Sequence, residues 1–167
     1  MRYATLSDLV RVATHGWDEL AQRVVQDARV DGAVLRTVAE SGDVSAWPDE
    51  VVTLAAEGLA RLEDGLTRAS RHADTYITPR LAGMPLSAGV VAASDLPTVV
   101  ATIAYRRLYG AAASEDIRKG TAWADAYLQD FAAGRVSLGS TDVQGSDAAT
   151  YASFSPRSIT DDTLKGF

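Results

Sequence analysis

Few side chains in this sequence are of the types that usually carry out catalysis. His15 and His72 are the two histidines, and there is no cysteine. A Cys-His nucleophile is therefore excluded, and a Ser-His-Asp arrangement would have to use one of these histidines without a supporting local motif. Since the two lie on different predicted helices, we expect both to be structural or solvated.

The acidic pairs Glu63/Asp64, Glu115/Asp116 and Asp161/Asp162 could be imagined as metal clamps or acid-base pairs. Neighbouring residues on a helix point in different directions, which makes such pairs poor ligand sets. The glycine spacings match neither a phosphate-binding loop nor a dinucleotide fingerprint. We therefore expect no enzyme activity, no catalytic residue, no metal and no cofactor.

The composition is that of a globular chain of 167 residues with a formal net charge of −6. This acidity argues against a protein that wraps DNA, because such affinity comes from clustered Lys and Arg. No window is apolar enough for a membrane span, and the first residues lack the apolar core of a secretion signal. We expect no membrane partner.

Helical patterns cover most of the chain. Thr5 and Asp8 form a capping-box pattern before a short first helix, and a second begins at Gly16. Residues 32–39 either continue the second helix or form a separate turn. A further helix begins near Leu96 with Ser94 or Asp95 as its cap, and a fifth is capped by Ser114.

The third helix has the most regular pattern, over about residues 48 to 78. Steps of three and four residues keep one apolar stripe on one face, and Pro79 is predicted to end the helix. The stripe consists of Val51, Ala55, Leu59, Leu62, Leu66, Ala69, Ala73 and Tyr76. The fifth helix has a similar stripe of Ile117, Thr121, Ala124, Leu128 and Phe131.

These patterns predict an all-α protein, a small bundle of about five helices with one long central helix. Residues 1–136 would form the helical domain, and residues 137–167 a flexible linker and C-terminal interaction arm. The segment "GRVSLG" is a possible short extended piece.

Six segments in order resemble the neck proteins of Mu-like phages and prophages, and more broadly the adaptor or head-completion proteins that connect head and tail in long-tailed phages. The segments are "YATLSDL", "GWDEL", "ADTYITPRLAGMPL", "LPTVVATIAYRRLYG", "AYLQDFAAGRVSLG" and "FSPRSITDDTLKGF". The family's motifs map here to Tyr76 with Ile77, Arg80, Pro85 with Leu86, Ala104, Tyr105, Arg106, Leu108, Tyr109, Phe154, Arg157, Leu164 and Gly166.

The resemblance implies a subunit of a ring, dodecameric in the family, that lies beneath the portal, extends the DNA channel and presents a surface to the tail. Its partners would be further copies of itself, the portal protein and a tail terminator or other neck protein, while DNA passes without specific binding. The protein would assemble in the host cytoplasm and end in the virion neck.

For such a subunit we expect a stiff third helix and a Pro79–Pro85 corner that aims the following segment at a neighbour or at the channel. We also expect an arm, from about residue 140, that orders when the ring forms or meets the portal. In the arm, Ile159, Leu164 and Phe167 would fill apolar slots while Arg157 pairs with a carboxylate. The full set of expected interface residues is Tyr76, Arg80, Pro85, Leu86, Tyr105, Arg106, Tyr109, Arg157, Ile159, Leu164 and Phe167.

Two alternatives remain open. A tail terminator or tail-completion protein would also form a ring. A small helical DNA-binding regulator could use "LSDLVRVATHGWDEL" as a helix-turn-helix, although Asp18 and Glu19 at the start of its second helix would oppose DNA binding.

Overall fold

A computed structural model describes residues 1–138. Within that range the fold is all-helical and contains no strand, which confirms the predicted fold class. The helices are α1 (Leu6–Val12), α2 (Gly16–Val24), α3 (Gly32–Ala39), α4 (Asp49–Arg80), α5 (Ala88–Ala93), α6 (Leu96–Tyr109) and α7 (Glu115–Ala132), with a 3-10 turn at Gly110–Ala112.

Several helix starts follow the predicted capping chemistry. Thr5 and Asp8 form a reciprocal capping box at α1, and the Ser114 hydroxyl accepts the amide of Ile117 at α7. Asp31 caps α3 through the amide of Val34, so residues 32–39 form a separate helix. The short helix α5, capped by Ser87, was not predicted because six residues show too little of a period.

The predicted helix end at Pro79 is wrong. Helix α4 contains Pro79 and ends one residue later, at Arg80. A proline in the last turn removes one hydrogen bond but leaves later amides free to pair, and Leu81 N donates to Ile77 O. The chain then leaves the helix through left-handed Ala82 and Gly83, and Gly83 N donates to Thr78 O.

Helix α4, with 32 residues, is about 48 Å long and carries its apolar stripe against the rest of the bundle. It contacts α1, α2, α3, α6 and α7. The predicted stripe is buried except at its half-buried members Leu59 and Tyr76, and Gly58 and Ile77 are buried beside them. The expected polar face is exposed at Glu57, Arg61, Asp64, Arg68 and Arg71.

Helix α6 is the most enclosed element of the bundle. A run of consecutive residues, Val99 to Tyr105, is buried, and α6 contacts α1, α2, α4, α5 and α7. A helix that is buried all round in this way lies inside the core. Helix α7 buries its predicted stripe against α4 and α6, with Ile117 half-buried.

The described part ends in a turn rather than in an extended piece. Gly134 has φ +78°, as expected for the residue after a helix, and Arg135 N donates to Asp130 O. Leu138 is buried against the core. The described residues therefore remain part of the packed body as far as Leu138.

Candidate interaction surface

Two tyrosines of α6 converge on one carboxylate of α2. The Tyr105 hydroxyl donates to Glu19 Oε1 at 2.6 Å, and the Tyr109 hydroxyl donates to the same oxygen. The other oxygen, Oε2, accepts the amide of His15 at 3.1 Å. Tyr105 and Tyr109 are four residues apart, so they share one face of α6. The cluster fixes the start of α2 against the C-terminal half of α6.

Burial and hydrogen bonding act in opposite directions on Glu19. Burial alone would raise the pKa of its carboxyl, but the donated hydrogen bonds from Tyr105, Tyr109 and the His15 amide lower the pKa below its ordinary value. Burial, followed by the bond to Glu19, raises the pKa of the Tyr105 hydroxyl. The carboxylate is therefore ionised at neutral pH and the tyrosine protonated.

This cluster forms the wall of an open cleft of about 580 Å³. The imidazole Nδ1 of His15, which is largely exposed, lies 3.8 Å from Glu19 Oε2. The guanidinium of Arg23 stacks over the Tyr109 ring at 4.2 Å from the centroid. Glu19 already accepts three hydrogen bonds, so its role in the cleft wall is to hold α2 and α6 together. Charged and aromatic groups surround it, and such groups are well suited to contact another surface.

A second groove continues from this cleft across α7. It has a volume of about 470 Å³ and shares Thr14, Tyr105 and Ile117 with the cleft. Trp123 lines it and is 44% exposed, an unusual exposure for so large an apolar side chain. We call this second groove, lined also by Val12, Thr98, Asp116 and Gly120, the Trp123 groove.

Arg106 and Tyr76, both predicted interface residues, belong to a second cluster between helices. Arg106 Nη1 lies 2.6 Å from Asp125 Oδ2, and His72 Nε2 lies 3.5 Å from Asp125 Oδ1. His72 in turn contacts the half-buried ring of Tyr76 edge-on, at 5.4 Å between centroids. Burial would raise the pKa of Asp125, but Arg106 and His72 outweigh it and lower that pKa. The cluster connects α4, α6 and α7.

Arg80 connects the end of α4 to the end of α7. Its Nη1 donates to the carbonyl of Phe131 at 2.6 Å, and its guanidinium lies 4.7 Å from the centre of the Phe131 ring. That carbonyl belongs to the last turn of α7 and also accepts the amide of Gly134 at 3.0 Å. Arg80 is therefore a second donor that helps to cap α7 within the same chain.

The corner after α4 forms the wall of a cavity of about 270 Å³. Pro85 is exposed and Leu86 half-buried, and both line this cavity together with Met1 and Met84, which are 58% and 55% exposed. Beneath them the Tyr3 hydroxyl donates to Asp74 Oδ1 at 2.5 Å. The corner thus presents an apolar surface, and the hydrogen bond between Tyr3 and Asp74 lies beneath it.

The structure brings some predicted residues together and separates others. Tyr105 and Tyr109 share one cluster, Arg106 and Tyr76 another, and Arg80, Pro85 and Leu86 lie around the C-terminal end of α4. Arg157, Ile159, Leu164 and Phe167 lie outside the described residues.

Sequence reasoning missed Glu19, Asp125 and Trp123. In the sequence Glu19 is only an acidic residue at a helix start, and its tyrosine partners lie 86 and 90 residues away. Trp123 did carry a signal, since it lies off the buried stripe that passes through Thr121 and Ala124. A large aromatic residue off the stripe of an amphipathic helix indicates an exposed apolar group.

Within residues 1–138 no group of three acidic or histidine side chains is placed to hold a metal ion. Over the same range, no helix is both long and apolar enough to cross a membrane.

Comparison with known proteins gives one family. Residues 3–155 match the family described as "Bacteriophage Mu, Gp36". No curated protein and no solved structure matches the chain.

Proposed function

We propose, from the premise that the chain belongs to the bacteriophage Mu Gp36 family, that it is a subunit of the phage neck. In this proposal it is a head-tail connector that assembles into a ring beneath the portal, extends the DNA channel and provides the surface on which the tail docks. Membership of this phage family supports a role in phage structure or morphogenesis and is the observation that carries the proposal.

The geometry supports a rigid building block. Arg80 fastens the end of α4 to α7, and Arg106 fastens α6 to α7 through Asp125. Nearer the start of α4, Arg61 Nη1 donates to Val24 O, the end of α2, at 2.5 Å. A ring subunit must hold a fixed angle to its neighbours, and a long helix fastened along its length does so with little entropy to lose on assembly.

The expected partners are further copies of the chain, the portal protein and a tail terminator or other neck protein. The open cleft beside Glu19 and the Met84 corner lie on different elements, as needed for a head-to-tail contact that closes into a ring. With a net charge of −6 on each subunit, the ring would let DNA pass without specific binding. We propose that the protein is a structural joint, not an enzyme.

A DNA-binding regulator is the less favoured alternative. In a helix-turn-helix the start of α2 would face DNA, but here Glu19 is 8% exposed and is held by Tyr105 and Tyr109. Salt-dependent gel shifts distinguish the two functions: a regulator binds duplex DNA tightly and in a salt-sensitive manner, whereas the connector does not.

Deletion of the gene from the phage genome tests the proposal and distinguishes it from a tail terminator. Loss of a connector should leave DNA-filled or leaking heads beside finished tails of normal length, unjoined, in electron micrographs. Complementation with the intact gene should restore joined particles. Tails of abnormal length in the deletion would identify a terminator, and normal particles would contradict any neck role.

A further inference from the structure

The Trp123 groove is an apolar surface whose occupant can be identified from the sequence. Its walls come from α1, α6 and α7, and Trp123 is the most exposed aromatic side chain of residues 1–138. Asp116, seven residues before Trp123, lies on the same face of α7 and is also exposed. The groove therefore presents an indole and a carboxylate about 10 Å apart along the helix.

We propose that the Trp123 groove binds residues 154–157 of the same chain, with Phe154 packed on Trp123 and Arg157 paired with Asp116. These four residues are Phe-Ser-Pro-Arg. Pro156 favours a polyproline II backbone, in which residues three apart lie on one face with a rise of about 3.1 Å per residue. Phe154 and Arg157 are then about 9 Å apart on one side, which matches the spacing of Trp123 and Asp116.

The length of the connecting chain fits the same arrangement. Leu138 is buried near the C-terminal end of α7, and 15 residues separate it from Phe154. Trp123 lies nine residues, or about 14 Å, before Ala132 at the end of that helix. A flexible linker of 15 residues has a root-mean-square span of about 20 Å, which exceeds this length of helix. The effective concentration of a tethered segment is highest when the root-mean-square length of its linker matches the distance that the linker spans.

The direction of the chain also agrees with docking of residues 154–157 in the Trp123 groove. A segment returning from the end of α7 meets Trp123 before Asp116, and Phe154 precedes Arg157 in the sequence. Burial of two aromatic rings against each other, together with one opposite-charge pair, gives apolar and electrostatic complementarity at the same site. This docking needs no ring and no other virion protein, so the isolated full-length chain suffices for its test.

The absence of native cysteines allows a clean disulfide test. A cysteine at Gly120 lies between Asp116 and Trp123, and an added Cβ there has open space around it. We expect the full-length Gly120→Cys/Ser155→Cys protein to form an intramolecular disulfide at least about tenfold faster than the control Gly89→Cys/Ser155→Cys. Gly89 also has open space but lies on α5, outside the groove. Mass spectrometry of the oxidised protein distinguishes the products.

Equal rates in the two proteins, or disulfide-linked dimers as the main product, would overturn the proposal.

The charge pair between Arg157 and Asp116 has its own test in the Gly120→Cys/Ser155→Cys background. Arg157→Glu should slow closure several-fold, and adding Asp116→Lys should restore the rate. If the added lysine slows closure further, Arg157 does not pair with Asp116.

A second measurement avoids cysteines. In a chain that keeps Trp123 and carries Trp17→Phe and Trp47→Phe, the change Phe154→Ser should increase quenching of the remaining fluorescence by acrylamide. The matched change Tyr151→Ser, which lies outside residues 154–157, should leave quenching unaltered. Identical quenching in the Phe154→Ser protein and its parent would contradict the docking of Phe154 on Trp123.

Discussion

The Tyr105 hydroxyl donates a 2.6 Å hydrogen bond to Glu19, which precedes it by 86 residues. This contact joins α6, the buried centre of the bundle, to α2 at its surface. Together with the bond from Tyr109 it turns the carboxylate into a fixed acceptor beside an open cleft. The same side chains thus stabilise the fold and shape a surface that we propose for assembly.

Stability should fall in acid because Glu19 and Asp125 both have lowered pKa values in the folded state. A carboxyl with a lowered folded-state pKa stabilises the fold above its unfolded pKa, near 4.5 for Glu, and loses that contribution as the pH falls through the folded pKa. Urea unfolding between pH 7 and pH 3 should show this loss. In Glu19→Gln the loss should be smaller, although stability at pH 7 is lower by about 1–3 kcal/mol. An unchanged pH slope in that variant would contradict the assignment to Glu19.

Gly58 should resist substitution because α4 and the end of α2 approach closely there. An added Cβ would lie 2.6 Å from Val25 Cγ2 and 3.1 Å from Val24 Cγ2. Overpacking costs about 1–3 kcal/mol, more than the gain of about 1 kcal/mol from replacing a helical glycine by alanine. Urea unfolding should therefore show that Gly58→Ala is destabilised.

Gly65→Ala in the same helix is the matched control for this substitution. Its Cβ would meet Leu108 Cδ2 at an ordinary 3.9 Å, so this variant should be as stable as the parent or more so. If both variants change stability to the same extent, helix propensity alone determines that change, and the close approach at Gly58 has no effect on it.

Arg80 should contribute to stability through the end of α7. Arg80→Met keeps an unbranched apolar stem but removes the donor to Phe131 O and the cation over its ring, and should cost about 1–3 kcal/mol in thermal or urea unfolding. Arg71→Met, on the exposed face of the same helix, should change stability by less than about 0.5 kcal/mol. Equal effects of the two changes would show that Arg80 does not cap α7.

Removal of residues 155–167 separates folding from assembly. The described core lies within residues 1–138, so the truncated protein should keep its helical circular dichroism and cooperative unfolding. If the arm carries assembly contacts, this protein should no longer join capsids in a complementation assay. Normal particles made with the truncated protein would refute the role of the arm.

Local signals explain why much of the fold is predictable. The stripe of α4, with steps of three and four residues, fixes its buried face, and the caps at Thr5 and Ser114 fix helix starts, because both depend on neighbours within four residues. The stop after α4 was less predictable. Pro79 is tolerated in a last turn, and the left-handed residues Ala82 and Gly83 end the helix.

The candidate surface depends on contacts between distant segments and could be predicted in part. The sequence predicts Tyr105, Arg106 and Tyr109 as interface residues. It does not reveal the carboxylates that hold them, Glu19 and Asp125, because these pairs form only when the helices pack. A single acidic residue on a helix carries no local sign of the tertiary partner that it will meet.

The central claim is that this protein is the joint at the head side of the neck. The most direct measurement is quantitative mass spectrometry of gradient-purified heads from a tail-defective phage and of tails from a head-defective phage. As a connector, the protein should remain with DNA-filled heads, at a stoichiometry matching a ring of subunits per portal. Its recovery with free tails alone, or its absence from both heads and complete virions, would contradict this role.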